Sequence, residues 1–168
     1  MAEKRTEFES LGGNNLDGIG GNAKKITYTA EDGSKKSIQI DCGMKFSDKA
    51  LTGVDNYIAP LECDDLLLTH AHADHIAGII HHIQMNPERP LNIYADKFTH
   101  QFMLAEMTKQ GLPIDNMPKF HDVKDGEKFK VNGFEIEPVP VTHSAPGAVA
   151  FVIESPDGTR MMDMGDFK

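Results

Sequence analysis

The chain has 168 residues, which is enough for about one domain with a buried core. Its composition, 39% hydrophobic and 26% charged, excludes a fibrous or wholly disordered chain. The formal net charge of −9, from 17 basic and 26 acidic side chains, argues against a free-standing nucleic-acid binder with a strongly basic surface.

Neither the ends of the chain nor its cysteines indicate a secreted protein. Residues 1–10 are rich in charge and lack the apolar core of a signal peptide, and no later segment reads as a membrane span. The two cysteines, Cys42 and Cys63, lack the paired spacing of a zinc ribbon, and we expect buried, reduced thiols. We therefore predict a cytoplasmic protein that does not contact membranes.

The N-terminal third reads as strands and loops. A glycine-rich stretch, residues 12–22, leads into a predicted strand at 26–29, whereas a phosphate-binding loop would open a helix. We predict instead a loop whose backbone approaches the functional site closely. Residues 26–29 and 37–41 predict a hairpin, and residues 44–62, which show no clean period, predict a long loop.

The remainder alternates strands and helices before ending in a run of strands. Strands are predicted at 66–68, 91–95, 128–131, 134–141, 148–154 and 159–164. Helices are predicted from Ile76 to Asn86 and over 97–110, where the expected apolar positions are Phe98, Phe102, Met103 and Met107. This order predicts an α/β fold with helices on one face of a mixed sheet.

A dense group of polar side chains separates the strand at 66–68 from the first helix. It consists of His70, His72, Asp74 and His75. Burying such side chains is unfavourable unless they are paired or hold a cation, so the group predicts a metal site. His70 and His72 point the same way on an extended segment and can share one ion, while Asp74 and His75 begin the helix and suit a second.

Two later residues extend this predicted site. His143 follows an apolar strand and is the best candidate for a third imidazole, and Asp166 follows the last strand, where a bridging carboxylate could lie. Imidazole and carboxylate ligands suit zinc or manganese better than calcium or magnesium. We therefore predict two divalent metal ions, zinc or alternatively manganese.

The spacing of these residues resembles that of the metallo-β-lactamase fold hydrolases. The shared pattern is His-x-His-x-Asp-His after a strand, then a strand-end histidine and a Gly-Asp pair. Further segments resemble the N-terminal part of the ribonuclease J family of β-CASP nucleases. These segments are residues 11–20, 40–43, 53–55, 68–78, 143–146 and 165–168.

The resemblance implies an αββα sandwich and a role for each site residue. The implied ligands are His70, His72 and His143 for the first metal, Asp74 and His75 for the second, and Asp166 as the bridge. Asp41 would orient the site from behind the ligands. Asp74 would also orient the metal-bound hydroxide that attacks phosphorus, and Ser144 would contact a substrate phosphate.

Enzymes of this family continue beyond the Gly-Asp motif with a β-CASP insertion, the rest of the sandwich and a last metal-binding histidine. We therefore expect residues 1–168 to form a partial metallo-β-lactamase domain, without the insertion and the C-terminal part. Where the second sheet is incomplete, we expect exposed apolar surface.

The expected function is RNA phosphodiester hydrolysis in RNA processing, weak or absent in this chain alone. The acidic charge does not exclude it, because bound cations offset part of that charge. Expected partners are RNA and either a full-length nuclease or the missing C-terminal half. Two alternatives stay open: a small hydrolase of a thioester or lactone with the same fold, and a non-catalytic metal-binding interaction module.

Overall fold

The structure, a computed structural model, describes residues 3–13, 20–47, 56–113, 115 and 117–168. The helices within these ranges are α1 (Ala73–Met85) and α2 (Lys97–Lys109). The strands are β1 (Arg5–Gly12), β2 (Ala23–Thr29), β3 (Lys35–Ile40), β4 (Met44–Lys45), β5 (Tyr57–Ile58), β6 (Asp65–Leu67), β7 (Asn92–Ala95), β8 (Lys119–Asp122), β9 (Phe129–Val131), β10 (Phe134–Pro140), β11 (Val149–Glu154) and β12 (Arg160–Asp163).

The first sheet is mixed and has six strands in the order β1-β2-β3-β6-β7-β8. Strands β1 to β3 pair antiparallel, and β3, β6, β7 and β8 pair parallel. Leu66 and Leu67 on β6 are fully buried, as expected for a central parallel strand covered on both faces. The parallel pairing brings the carboxyl ends of four strands to one edge, where the loops that follow can meet.

The second sheet is an antiparallel meander in the order β12-β11-β10-β9. Phe134 and Ile136 on β10 and Phe151 on β11 are fully buried, and they pack with Ile38 and Leu67 of the first sheet. Their period of two directs the alternating polar residues outward. The two sheets therefore form a sandwich with a shared apolar core.

Both helices lie on the opposite face of the first sheet. Ile76 and Ile79 of α1 and Met103 of α2 share a core with Leu66 and Ile93 of the sheet. The predicted fold class, a mixed sheet with helices on one face, is confirmed. Within the described ranges, no helix is long and apolar enough to cross a membrane.

Several local predictions differ from the structure. Strand β8 was not predicted, because its four residues, Lys-Phe-His-Asp, carry no apolar run. The predicted loop at 44–62 contains the short pair β4 and β5. Residues 48–55, with the motif at 53–55, lie outside the described residues, as do residues 14–19 of the glycine-rich stretch.

The outer surfaces depart in part from expectation. Phe98 and Phe102 of α2, predicted to be buried, are 44% and 40% exposed, and the helix buries Thr99, Met103 and Met107 instead. The outer face of the second sheet carries ion pairs, such as Lys128 with Glu135 at 2.7 Å. Exposed apolar side chains do occur on and after the edge strand β12: Met162, Met164 and Phe167.

Two glycines allow the turn after β3 to touch α1. A Cβ on Gly43 would lie 1.7 Å from the Asp74 carbonyl oxygen, and one on Gly78 would lie 2.7 Å from the Gly43 carbonyl oxygen. We expect Gly43→Ala to lower the free energy of unfolding by about 3 kcal/mol, because backbone atoms must move apart. Urea unfolding of both proteins measures this difference.

Gly33→Ala is the matched control for this variant. Gly33 has φ +83° in the β2–β3 turn, and nothing lies within 4 Å of its Cβ position. An alanine there is strained but meets no atoms, so the change is expected to cost about 1 kcal/mol. Equal unfolding midpoints for the two variants would contradict the close contact of the β3 turn with α1.

Candidate metal centre

The predicted site residues converge at the carboxyl edge of the first sheet. Asp41 directly follows β3, and His70 and His72 lie in the segment that leaves β6. Asp74 and His75 occupy the first turn of α1. The second sheet supplies the remaining members from the loops after β10 and β12, His143 and Asp166.

Three imidazoles and one carboxylate form the first group. The Nδ1 atom of His72 lies 3.0 Å from Nε2 of His70 and 3.1 Å from Nε2 of His143. Asp166 Oδ2 lies 3.9 Å from Nε2 of His143. Ligands about 2.0–2.1 Å from a tetrahedral ion lie about 3.4 Å from one another. The three measured separations, 3.0 to 3.9 Å, lie around this value, so the four donor atoms could surround one ion of this size.

A second group shares Asp166 with the first. Nε2 of His75 lies 3.5 Å from Asp74 Oδ2 and 3.6 Å from Asp166 Oδ2. In each group the donor atoms all lie within 4.8 Å of one another. A carboxylate common to two neighbouring groups is placed as a bridging ligand must be, although the ligand roles themselves stay predictions.

Asp41 supports the site from the buried side. It is 1% exposed and has a left-handed backbone with φ +56°. Its Oδ1 accepts a hydrogen bond from Thr69 N at 2.9 Å, and its Oδ2 accepts one from Thr69 Oγ1 at 2.8 Å and lies 2.7 Å from His75 Nδ1. The carboxylate thus fixes both the strand end and one imidazole.

These hydrogen bonds set the tautomers of two histidines. Because the Thr69 hydroxyl donates to Asp41, its oxygen accepts from His70 Nδ1, 3.0 Å away. His75 Nδ1 donates to Asp41 directly. The Nε2 atoms of His70 and His75 consequently face the two groups, which is the arrangement that metal-binding histidines need.

Burial and charge divide the histidines into two kinds. Burial lowers the pKa of His70 to about 4, so its Nε2 lone pair is free at neutral pH. Burial alone would also lower the pKa of His75, but the adjacent Asp41 carboxylate raises it above 6.5. Burial would raise the pKa of Asp41, yet His75 and the two bonds from Thr69 lower it. Below its raised pKa and without a cation, protonated His75 forms a buried ion pair with the Asp41 carboxylate.

Two residues at the site were not predicted. Thr69 links Asp41 with His70, a role that its position beside the cluster does not reveal. Asn22 Nδ2 lies 3.2 Å from Asp74 Oδ2 and 3.0 Å from His75 Nε2. The adjacent Gly20 has φ +124°, and a Cβ there would lie 3.4 Å from Asp74 Cβ. The predicted close approach of the glycine-rich loop is thus confirmed for its described end.

Ser144 and the cysteines are placed differently. Ser144 is exposed at the rim, and its Oγ lies 3.5 Å from His72 Nε2, so the phosphate contact stays a prediction. Cys42 and Cys63 are buried and free. Burial raises the pKa of the Cys42 thiol to about 12 and that of the Cys63 thiol to about 11. Neither thiol is a ready nucleophile or metal ligand.

Comparison with known families places the chain in a superfamily. The family model described as beta-lactamase superfamily domain matches residues 37–168, which is most of the chain. The chain belongs to the beta-lactamase superfamily. The matched range of this superfamily domain includes Asp41 and every predicted ligand, from His70 to Asp166.

Several curated relatives of the chain are named ribonuclease J. Ribonuclease J of Mycolicibacterium smegmatis is 31% identical over 137 residues, which cover 77% of this chain and 23% of that protein. Ribonuclease J of Mycoplasma pneumoniae is 29% identical over 171 residues, covering 97% of this chain and 28% of that protein. Ribonuclease J of Mycoplasma genitalium is 27% identical over 177 residues, which cover 100% of this chain and 29% of that protein. The chain therefore spans about a quarter of the length of these relatives.

Solved structures show the metallo-β-lactamase fold. YhfI of Bacillus subtilis, a metallo-β-lactamase fold protein, aligns with TM-score 0.63 and 19% identity over 98% of this chain and 63% of its own. A protein of unknown function from Enterococcus faecalis V583 aligns with TM-score 0.63 and 22% identity, covering 99% and 44%. Zn²⁺-bound PqqB of Methylobacterium extorquens aligns with TM-score 0.53 and 19% identity over 82% of this chain and 47% of its own. The expected fold is thereby confirmed.

Proposed function

We propose that the chain belongs to a metal-dependent RNA phosphodiester hydrolase of the ribonuclease J type. The observation that carries this proposal is the position of Asp166, within reach of both the three-histidine group and the Asp74–His75 group. Two adjacent cation sites with a shared carboxylate suit phosphodiester hydrolysis. The superfamily match and the relatives named ribonuclease J support RNA as the substrate class.

The proposed cofactors are two divalent metal ions, zinc or alternatively manganese. Three imidazoles with carboxylates form a donor set typical of these ions, and PqqB, which shares the fold, is a Zn²⁺-bound protein. His70, His72 and His143 would hold one ion, Asp74 and His75 the other, and Asp166 both. When bound, such ions lower the pKa of a coordinated water and neutralise charge on a phosphodiester.

Three side chains would orient the water, contact the phosphate and hold a ligand in position. Asp74 Oδ2, held by the Asn22 amide at 3.2 Å and partly exposed, would accept a hydrogen bond from the attacking water and orient it. Ser144 at the rim would donate to a nonbridging phosphate oxygen. Asp41 would keep His75 in position, because its carboxylate accepts the Nδ1 proton.

An open cleft beside the two donor groups would admit part of an RNA strand. It has a volume of about 420 Å³ and is lined by His143, Gly165, Asp166, Phe167 and Lys168. Lys168 can meet a phosphate, and the ring of Phe167, 59% exposed, offers a stacking surface for a base. The net charge of −9 opposes RNA binding, so we expect weak binding that depends on bound cations.

RNA cleavage tests the proposed function. Purified chain in excess over 5′-labelled single-stranded RNA, with zinc or manganese added, is expected to cleave slowly and to stop when EDTA is added. Asp74→Asn is expected to reduce the rate at least about 100-fold, because a neutral amide is a weaker metal ligand and a weaker hydrogen-bond acceptor for the water than a carboxylate. Asp122→Asn, a change of the same kind at the end of β8, should leave the rate unchanged.

The same assay separates the alternatives. Hydrolysis of a thioester or lactone without RNA cleavage would favour the small-hydrolase alternative. Metal binding with no turnover of any substrate would favour the interaction module. We further propose a cytoplasmic location, and that residues 1–168 act as part of a larger metallo-β-lactamase domain. The exposed Met162 and Met164 would then contact a full-length nuclease or a C-terminal half.

A further inference from the structure

An ion pair between the two sheets lies close to the candidate metal centre. Nζ of Lys24, on β2, donates to Oδ2 of Asp163, at the end of β12, over 2.6 Å. The Asp163 side chain is only 6% exposed and that of Lys24 is 30% exposed. Removing one partner of such a pair leaves the other charge uncompensated away from water.

The second oxygen of Asp163 holds the backbone that leads to Asp166. Oδ1 of Asp163 accepts a hydrogen bond from Gly165 N at 2.9 Å. Gly165 has φ +55°, and a Cβ there would lie 2.8 Å from Thr69 Cβ. The turn before Asp166 is therefore determined by the Asp163 carboxylate and by contact with the residue that supports Asp41.

The backbone after Asp166 is fixed as well. Lys168 N donates to the carbonyl oxygen of Thr142, next to His143, at 2.8 Å. The Asp166 side chain itself is 45% exposed, and its Oδ2 lies 3.6 Å from Nε2 of His75 and 3.9 Å from Nε2 of His143, beyond hydrogen-bond distance. The position of this carboxylate thus depends on the backbone at its two sides, one of which Asp163 holds.

We propose that Lys24 and Asp163 are positioning residues for the carboxylate that the proposed function assigns as the bridge, Asp166. Lys24 neutralises Asp163 and keeps both its oxygens directed as observed. Without Lys24, the buried carboxylate would turn toward water or a cation and release Gly165 N. This inference rests on the proposed metal centre and extends it to two residues that touch neither proposed ion.

A purely structural role is the competing explanation, and the chain contains a control for it. Thr6 on β1 donates to Asp157 Oδ2 at 2.9 Å and contacts Ser155, so it also joins the two sheets without reaching the Asp166 turn. Lys25, the neighbour of Lys24, pairs with Glu62 at 2.7 Å instead. Thr6→Val therefore removes a contact between the sheets far from Asp166. Lys25→Met removes a lysine charge from the same strand.

Two measurements on the full chain test the proposal. Amide hydrogen exchange at Gly165, followed by NMR without metal, is expected to be at least about tenfold faster in Lys24→Met than in the wild type. Competition with a chelator for Zn²⁺ or Mn²⁺ is expected to show about 10- to 100-fold weaker binding of the second equivalent. Lys24→Arg should restore both values, and the two control variants should match the wild type within about threefold.

Asp163→Asn gives a second test should Lys24→Met fail to fold. Lys24 Nζ and Gly165 N bond to different oxygens of Asp163, and asparagine replaces one of these acceptors by an NH2 donor and removes the negative charge. Exchange at Gly165 is therefore again expected to accelerate. Lower thermal stability with unchanged exchange and unchanged metal affinity would overturn the proposal and leave the proposed function intact. A wild-type chain that binds no zinc or manganese would overturn both.

Discussion

His72→Ala is expected to weaken metal binding at the three-histidine group strongly. Nδ1 of His72 is the central donor, within 3.0 and 3.1 Å of the nitrogens of His70 and His143. A four-ligand zinc site contributes about 10–16 kcal/mol, which is about 3 kcal/mol for each ligand. Losing this imidazole should therefore weaken zinc binding at least about 100-fold.

Metal analysis and chelator competition on the purified proteins measure the loss. His81→Ala is the matched control, since His81 lies on the same helix as His75 but in neither donor group. Zinc should also raise the melting temperature of the wild type and of His81→Ala, and much less that of His72→Ala. Equal zinc affinity in all three proteins would show that these imidazoles do not form the site.

Asp41→Asn is expected to destabilise the metal-free protein by about 3 kcal/mol. Asparagine keeps the size of the side chain and tolerates the left-handed backbone at φ +56°, so the change tests the charge and the acceptors. Its amide group would place a donor where Thr69 Oγ1 and His75 Nδ1 both donate. Urea unfolding in the presence of EDTA measures the difference.

The pH dependence of this difference has a defined sign. The pKa of His75 is raised above 6.5, so its contribution to stability is full below pH 6.5 and is lost as the pH rises through its folded-state pKa. The pKa of Asp41 is lowered below 3.8, so its contribution is present above pH 3.8 and is lost as the pH falls through its folded-state value. The wild type should therefore exceed Asp41→Asn most between pH 3.8 and 6.5.

An exposed pair of the same type gives the control. His100 Nδ1 lies 2.5 Å from Asp122 Oδ1, but the Asp122 side chain is 45% exposed. Solvent screens such a pair, so Asp122→Asn should change the free energy of unfolding by less than about 1 kcal/mol. A loss for Asp41→Asn no larger than this, or one independent of pH, would contradict the buried ion pair.

Local sequence patterns are enough to predict several elements of the fold and most residues of the candidate site. The apolar run Leu66 to Leu68 predicts the strand that the structure places at Asp65–Leu67, and the helical spacing of the isoleucines predicts α1. His143 and Asp166 were found because each follows a predicted strand. Strand β8 was missed because it is short and polar, and its existence depends on pairing with β7.

Contacts between distant segments have no local pattern. Lys24 and Asp163 are separated by 139 positions, and neither stands in a motif. Asn22 lies in a glycine-rich stretch whose approach to the site was predicted, but the target of its amide depends on how α1 packs against the β3 turn. Thr69 stands inside the histidine cluster, yet its role emerges only when β3 brings Asp41 beside it.

The residues of the candidate metal centre come from both sheets, and this has a consequence for stability. The first sheet and α1 supply His70, His72, Asp74 and His75, whereas the second sheet supplies His143 and Asp166. A cation held by ligands from both would act as a reversible cross-link across the sandwich. Chelation should then weaken the connection between the sheets, and the loops after β10 and β12 should gain mobility first, while the shared apolar core keeps the sheets packed. The fraction of protein with bound metal should therefore determine how firmly the two sheets hold together.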